Sequence, residues 1–129
     1  MSSIHQEVEF KAPPESFYEA LTDPKKFSAA TGGAPTEISK AAGGEFFCFG
    51  GYVSGRNIEL VPGVRVVQAW RAKNWGEGIY SIARFELKKS GKGTQVIFDH
   101  EAFPEDQKDH LAEGWKSNYW EPLKKYLAD

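Results

Sequence analysis

Hydrophobic and polar residues alternate through most of this chain, and near its end the period changes. Ile4, Gln6, Val8 and Phe10 take one face of a segment and His5, Glu7, Glu9 and Lys11 the other. That is the two-residue repeat of a half-buried strand. Pro13 and Pro14 end it and open a short helix at 15–22, with Phe17, Tyr18 and Leu21 as its apolar side. Asp23 is placed to cap a second short helix that runs out at Thr31-Gly32-Gly33. Alternation then returns, weakly at 34–40 and strongly at 45–49, 52–60, 64–71, 79–88 and 94–103. Val64, Val66, Gln68 and Trp70 share one face. So do Ala83, Phe85 and Leu87, and so do Val96, Phe98 and His100. Short glycine-bearing turns such as Ser90-Gly91-Lys92-Gly93 separate these runs.

Residues 109–127 switch to the helical period of about 100° per residue. Leu111, Trp115, Tyr119, Pro122, Leu123 and Tyr126 fall on one side, which Trp120 and Leu127 widen. Glu113, Ser117, Glu121, Lys124 and Lys125 take the other side. Strands joined by short turns imply an antiparallel sheet, and the only large cover for its apolar face is this terminal helix. The pattern therefore predicts an α+β domain over residues 1–129, with two short helices after the first strand. Two positions interrupt the helical pattern. Pro122 lacks the N–H that would bond Asn118, which predicts a bend or a frayed bond there. Gly114, beside Trp115, offers close approach to the helix backbone.

A chain of 129 residues folds as one domain and buries about two-thirds of its unfolded surface. A net charge of −2 and a pI near 5.9 argue against a nucleic-acid partner. The single cysteine, Cys48, excludes an intramolecular disulfide. The start MSSIHQEVEF has no signal pattern, and no apolar run nears the ~20 residues of a membrane span. Cytoplasmic placement is the expectation. Aromatic residues make up 14%, enough to line more than a close-packed core.

Few residues offer chemistry. His5, His100 and His110 are scattered and there is one cysteine, so neither a metal centre nor a cofactor is implied. Cys48 lies in a phenylalanine-rich strand and reads as an inert buried thiol. His100 and Gln68 point toward the helix by alternation. His100 is either a ligand contact or general base, or a buried histidine satisfied by Tyr119, Tyr126 or backbone. Gln68 has the same two readings, since a buried amide needs partners. Trp70, Trp75, Trp115, Tyr119 and Tyr126 are candidates for an aromatic pocket. Of these, Trp70, Trp115, Tyr119 and Tyr126, with Gln68, Phe85, Phe98 and His100, give the candidate cavity set. Arg71 is placed for a cation–π contact with Trp75.

Several short motifs, in order, carry a family resemblance. They are Val53-Ser54-Gly55, Glu59-Leu60-Val61-Pro62, Gln68-Ala69-Trp70-Arg71, Trp75-Gly76-Glu77-Gly78, Asp99-His100 and Gly114-Trp115. Together they resemble the activator of heat shock protein 90 ATPase family, within the START-like or SRPBCC superfamily, over 4–127. The resemblance implies a helix-grip (START-like, Bet v-like) fold, a curved antiparallel sheet of about six to seven strands around the terminal helix. It also implies two kinds of partner, a hydrophobic or aromatic small molecule held between sheet and helix, and a chaperone ATPase. The family's eukaryotic co-chaperones use two domains, of which the C-terminal one resembles this chain. A small enzyme using a cavity histidine is the third reading, ranked last because no second catalytic group accompanies His100. Gly76 stands where the family usually has proline, so the Trp75 loop is expected to be looser.

Overall fold

The computed structural model describes residues 3–128. The chain runs β1 (Ser3–Phe10), α1 (Pro14–Thr22), α2 (Pro24–Ala30), β2 (Glu37–Ile38), β3 (Glu45–Cys48), β4 (Val53–Val61), β5 (Arg65–Ala72), β6 (Ser81–Ser90) and β7 (Gly93–Glu101). A terminal helix follows at 108–126, built from α3 (Lys108–Gly114), a π-helical turn (Trp115–Trp120) and α4 (Glu121–Tyr126). The seven strands form one antiparallel sheet in the order β1-β7-β6-β5-β4-β3-β2. Each strand from β2 to β7 pairs with its sequence neighbour, whereas β1 closes against β7. The helices α1 and α2 carry the chain from one edge of the sheet to the other. Asp23 caps α2 by accepting the Lys26 N–H at 3.0 Å.

The alternation survives as the two faces of the sheet. Val66, Gln68, Trp70 and Ala72 of β5 are buried, as are Ser81, Ala83, Phe85 and Leu87 of β6 and Val96, Phe98 and His100 of β7. Register then brings like with like. Val66, Phe85, Phe98 and Gln6 lie in one cross-strand row, and Gln68, Ala83, His100 and Ile4 in the next. Charged and polar residues dominate the outward positions, among which Val67, Ala69, Ile82 and Ile97 are apolar, and His5 bonds both Glu7 and Asp99 there. Asp99 and His100 thus serve opposite faces. A bulge at Asn57–Glu59 shifts the β4–β5 register. Gly55 is needed for a close approach, since a Cβ there would lie 1.8 Å from the Ala69 carbonyl oxygen. No helix among the described residues is long and apolar enough to cross a membrane.

The irregularity expected at Asn118–Pro122 takes the form of the π turn. Glu121 N–H bonds the Lys116 carbonyl, five residues back. One extra residue in a helical turn rotates everything downstream by about 100°. Trp120 therefore swings under Trp115, and the two indoles stack with centroids 5.9 Å apart and planes at 27°. Leu123 is fully buried and Leu127 packs on the core. Tyr126, placed on the apolar side by uninterrupted helical spacing, is instead rotated out to 42% exposure. That corrects its place in the candidate cavity set.

Candidate functional site

The interface between sheet and terminal helix has a sealed part and an open part, and Trp115 borders both. In the sealed part, Phe85, Phe98, Trp115 and Trp120 form a packed aromatic cluster, with centroid separations between 4.3 and 6.1 Å. Trp120 donates its indole N–H to Gln6 Oε1 at 2.7 Å, and Gln6 Nε2 donates to the Ala112 carbonyl at 3.2 Å. These two bonds tie β1 to the helix.

His100 sits beside this cluster with no exposed surface. Trp115 Nε1–H donates to its Nδ1 at 2.9 Å. Indole nitrogen is only a donor, so Nδ1 must accept and the ring proton must sit on Nε2. Nε2–H then donates to Ser81 Oγ at 2.6 Å, and Ser81 donates to the Trp70 carbonyl at 3.0 Å. The chain of bonds is directional and complete. Burial pushes the imidazole down to about 3, so it stays neutral. Its partners are thus Trp115 and Ser81, rather than Tyr119 or Tyr126. With its acceptor nitrogen occupied and its basicity suppressed, His100 has no lone pair to take a proton from a substrate. This arrangement lends no support to the reading of His100 as a general base.

Gln68 is also satisfied within the protein. Its Nε2 donates to Asn57 Oδ1 at 3.1 Å, and Asn57 Nδ2 donates to the Ser39 carbonyl at the same distance. Asn57, which sits at the bulge, is the partner that strand alternation does not reveal. Cys48 is buried, and burial raises its thiol to about 12, which keeps it protonated and inert.

The open part is a cavity of about 200 Å³ where the helix leaves the β4 and β5 ends. Trp70, Trp115 and Tyr119 form its aromatic inner wall. Val53 and Ala72 of the sheet and Leu111 and Gly114 of α3 supply apolar surface. Tyr52, Gln107, His110 and Asn118 add polar groups to its lining. Phe49 forms another wall, packing edge-on against Phe27 and Tyr119 at 5.6 and 5.5 Å. Its φ of 56° is left-handed, and Gly50 and Gly51 follow at 68° and 97°. A phenylalanine held there stores about 1–3 kcal/mol of backbone strain.

Of the candidate cavity residues, the structure brings Trp70, Trp115 and Tyr119 to the cavity. Gln68, Phe85, Phe98 and His100 are sealed in the core instead, and Tyr126 lies on the outer surface. Phe49, Tyr52 and the polar residues at 107, 110 and 118 were not foreseen. The Gly50-Gly51 pair was the available signal for a sharp reversal at Phe49. Trp75 packs behind Trp70, with centroids 5.5 Å apart, rather than on the cavity wall. Its loop is laced down by Arg71, which donates to the Trp75 and Gly76 carbonyls at 2.9 Å each. The Arg71 guanidinium lies over the Tyr80 ring at 5.6 Å, so the cation–π partner is Tyr80, not Trp75.

Comparison with known proteins agrees with this architecture. An activator of 90 kDa heat shock protein ATPase homolog from Dictyostelium discoideum is 32% identical over 117 residues, covering 90% of this chain and 30% of that protein. The homolog 1 of the same name from Homo sapiens is 29% identical over 115 residues, covering 89% and 34%. The chain thus spans about a third of the length of these relatives. Among solved structures, PFC0360w, an HSP90 activator from Plasmodium falciparum, superposes with a TM-score of 0.91 at 23% identity, covering 99% of this chain and 97% of that one. The Aha1 dimer from Colwellia psychrerythraea gives 0.83 at 23% identity, covering 98% and 96%. These two likenesses concern the fold, the curved sheet gripping a terminal helix. The family described as Activator of Hsp90 ATPase homolog 1-like protein matches residues 11–128, and the chain belongs to that family.

Proposed function

We propose that this protein is a binding module whose cavity holds a small, largely apolar molecule between β4–β5 and the terminal helix. The observation that supports this is the aromatic-walled space of about 200 Å³ beside an otherwise close-packed interior. Protein interiors leave few voids larger than a water molecule. A dry cavity of about 150 Å³ is enough for benzene. Phe49, held in a strained conformation on the wall, is consistent with a site shaped for an occupant. The test is an amide-resonance titration with single-ring aromatic compounds on wild type and on Gly114→Leu. A Cβ at Gly114 meets only Asn118 Nδ2 within 4 Å, at 3.7 Å, so a leucine grows into open space. Shifts at Trp70, Trp115 and Tyr119 that vanish in the variant support the reading. Their absence in wild type overturns it.

The names of the relatives favour a second reading, contact with an Hsp90-type chaperone ATPase. The measurement is the ATPase rate of the host's own chaperone with and without this protein. An unchanged rate together with no detectable complex removes the reading.

A further inference from the structure

The cavity wall contains a hydroxyl whose hydrogen bonding is half complete. Trp70 Nε1–H donates to Tyr119 Oη at 3.3 Å. Because the indole can only donate, this bond uses a lone pair of the tyrosine oxygen and leaves the hydroxyl proton unassigned. Among the described residues no hydrogen bond donated by this hydroxyl is seen, the nearby Cys48 thiol not being in bonding geometry, although Tyr119 is 4% exposed. Trp70 and Tyr119 both line the cavity. Burial also holds the phenol well above its usual range, so it keeps its proton at any physiological pH. An occupant that accepts this proton relieves an unsatisfied buried donor, whereas a hydrocarbon of the same shape leaves it unsatisfied.

The charge of the occupant follows from the same wall. Among the described residues no Lys, Arg, Asp or Glu side chain lines the cavity, and His110, which does line it, is exposed. An anionic acceptor would lose its hydration with no fixed cation to replace it. The size follows from the volume, which lies below the ~300–1,000 Å³ of drug-sized sites. We infer that the cavity selects a neutral, single-ring molecule bearing an oxygen acceptor such as a ketone, with the Tyr119 hydroxyl as its donor. This rests on the reading of the cavity as a ligand site.

The experiment compares acetophenone with cumene, which has the same heavy-atom count and shape, and with benzoate. Affinities are measured by calorimetry on wild type, Tyr119→Phe and Gly114→Leu. Acetophenone should bind wild type roughly three- to tenfold more tightly than cumene, the value of one added hydrogen bond. Benzoate should bind more weakly than acetophenone. Tyr119→Phe should erase the acetophenone preference while cumene affinity stays level. A variant-free readout guards against misfolding: the carbonyl stretch of labelled acetophenone should move to lower frequency in wild type. Equal binding of ketone and hydrocarbon, tighter binding of benzoate, or an unshifted carbonyl band overturns the inference and leaves the ligand-site reading standing. Binding of neither ring, or equal binding by Gly114→Leu, overturns both.

Discussion

The two parts of the sheet–helix interface are built from the same residue types and treat their polar groups in opposite ways. Around His100, each proton has an acceptor: indole to imidazole, imidazole to serine, serine to backbone. Around Tyr119, a second indole donates to a hydroxyl and the series stops at the cavity. Aromatic content does not separate a core from a site here, because Trp115 borders both. Between these two groups completion of the hydrogen-bond chain does, although the buried Trp75 Nε1–H, packed behind Trp70 and off the cavity, also lacks a partner. A finished chain fixes one packed arrangement, while an unfinished one leaves an interaction for something that enters.

The largest test of this contrast is Trp115→Ala. It empties a 2% exposed site and orphans His100 Nδ1. A loss of about 3–5 kcal/mol in urea unfolding is expected, with cavity and core failing together. Next in size is acid. The His100 pKa is about 3 folded against 6.5 unfolded, so below pH 6.5 the unfolded chain takes up a proton that the native state refuses. Stability is complete above 6.5 and falls toward pH 3 at about 1.4 kcal/mol per unit. About 2 kcal/mol should be gone by pH 5, read from urea midpoints. His5 shifts in the raised direction, through its bonds to Asp99 and Glu7, and opposes this trend. A His5→Asn background isolates it, and a flat profile in that background would show that His100 is not held neutral.

Tyr119→Phe should cost only about 1 kcal/mol, because a single neutral bond to Trp70 is lost. A cost near that of Trp115→Ala would mean the open part is as interlocked as the sealed one. The smallest effect is Gly114→Ala, whose new methyl meets nothing closer than 3.7 Å at an α-helical position. A gain of up to about 1 kcal/mol in thermal or urea unfolding is expected from helix propensity. A loss would show that the cavity wall there is tighter than its geometry implies.

The sheet was largely legible because strand periodicity is unambiguous. The inward sets containing Gln68–Trp70, Ala83–Leu87 and Val96–His100 all face the helix. Alternation, however, reports which side a residue faces and not whether that side is filled. Phe85 and Phe98 were therefore indistinguishable from Trp70 until side-chain volumes were in place. Partners from distant strands were also hidden. Asn57 meets Gln68 through a bulge, and Ser81 meets His100 across β6–β7. In the helix, Pro122 marked where regular bonding would fail, but not that the chain would answer with an added residue per turn. That one step brought Trp120 from the margin of the apolar side to beneath Trp115 and turned Tyr126 outward.

The π turn also divides the labour of the helix. Before it, Leu111 and Gly114 line the cavity, and Ala112 is tied to β1 by Gln6. After it, α4 lies against α2, away from the cavity. Trp120, its last residue, reaches Phe10 and Gln6 of the outermost strand. An unbroken helix would lock these two contact sets into one angular phase, so that re-aiming a wall residue would twist the anchor. The inserted step acts as a clutch between them. Sequence can drift at cavity-lining positions such as Gly114 and Asn118, changing what the cavity fits, while the clasp at 120–127 keeps its own alignment.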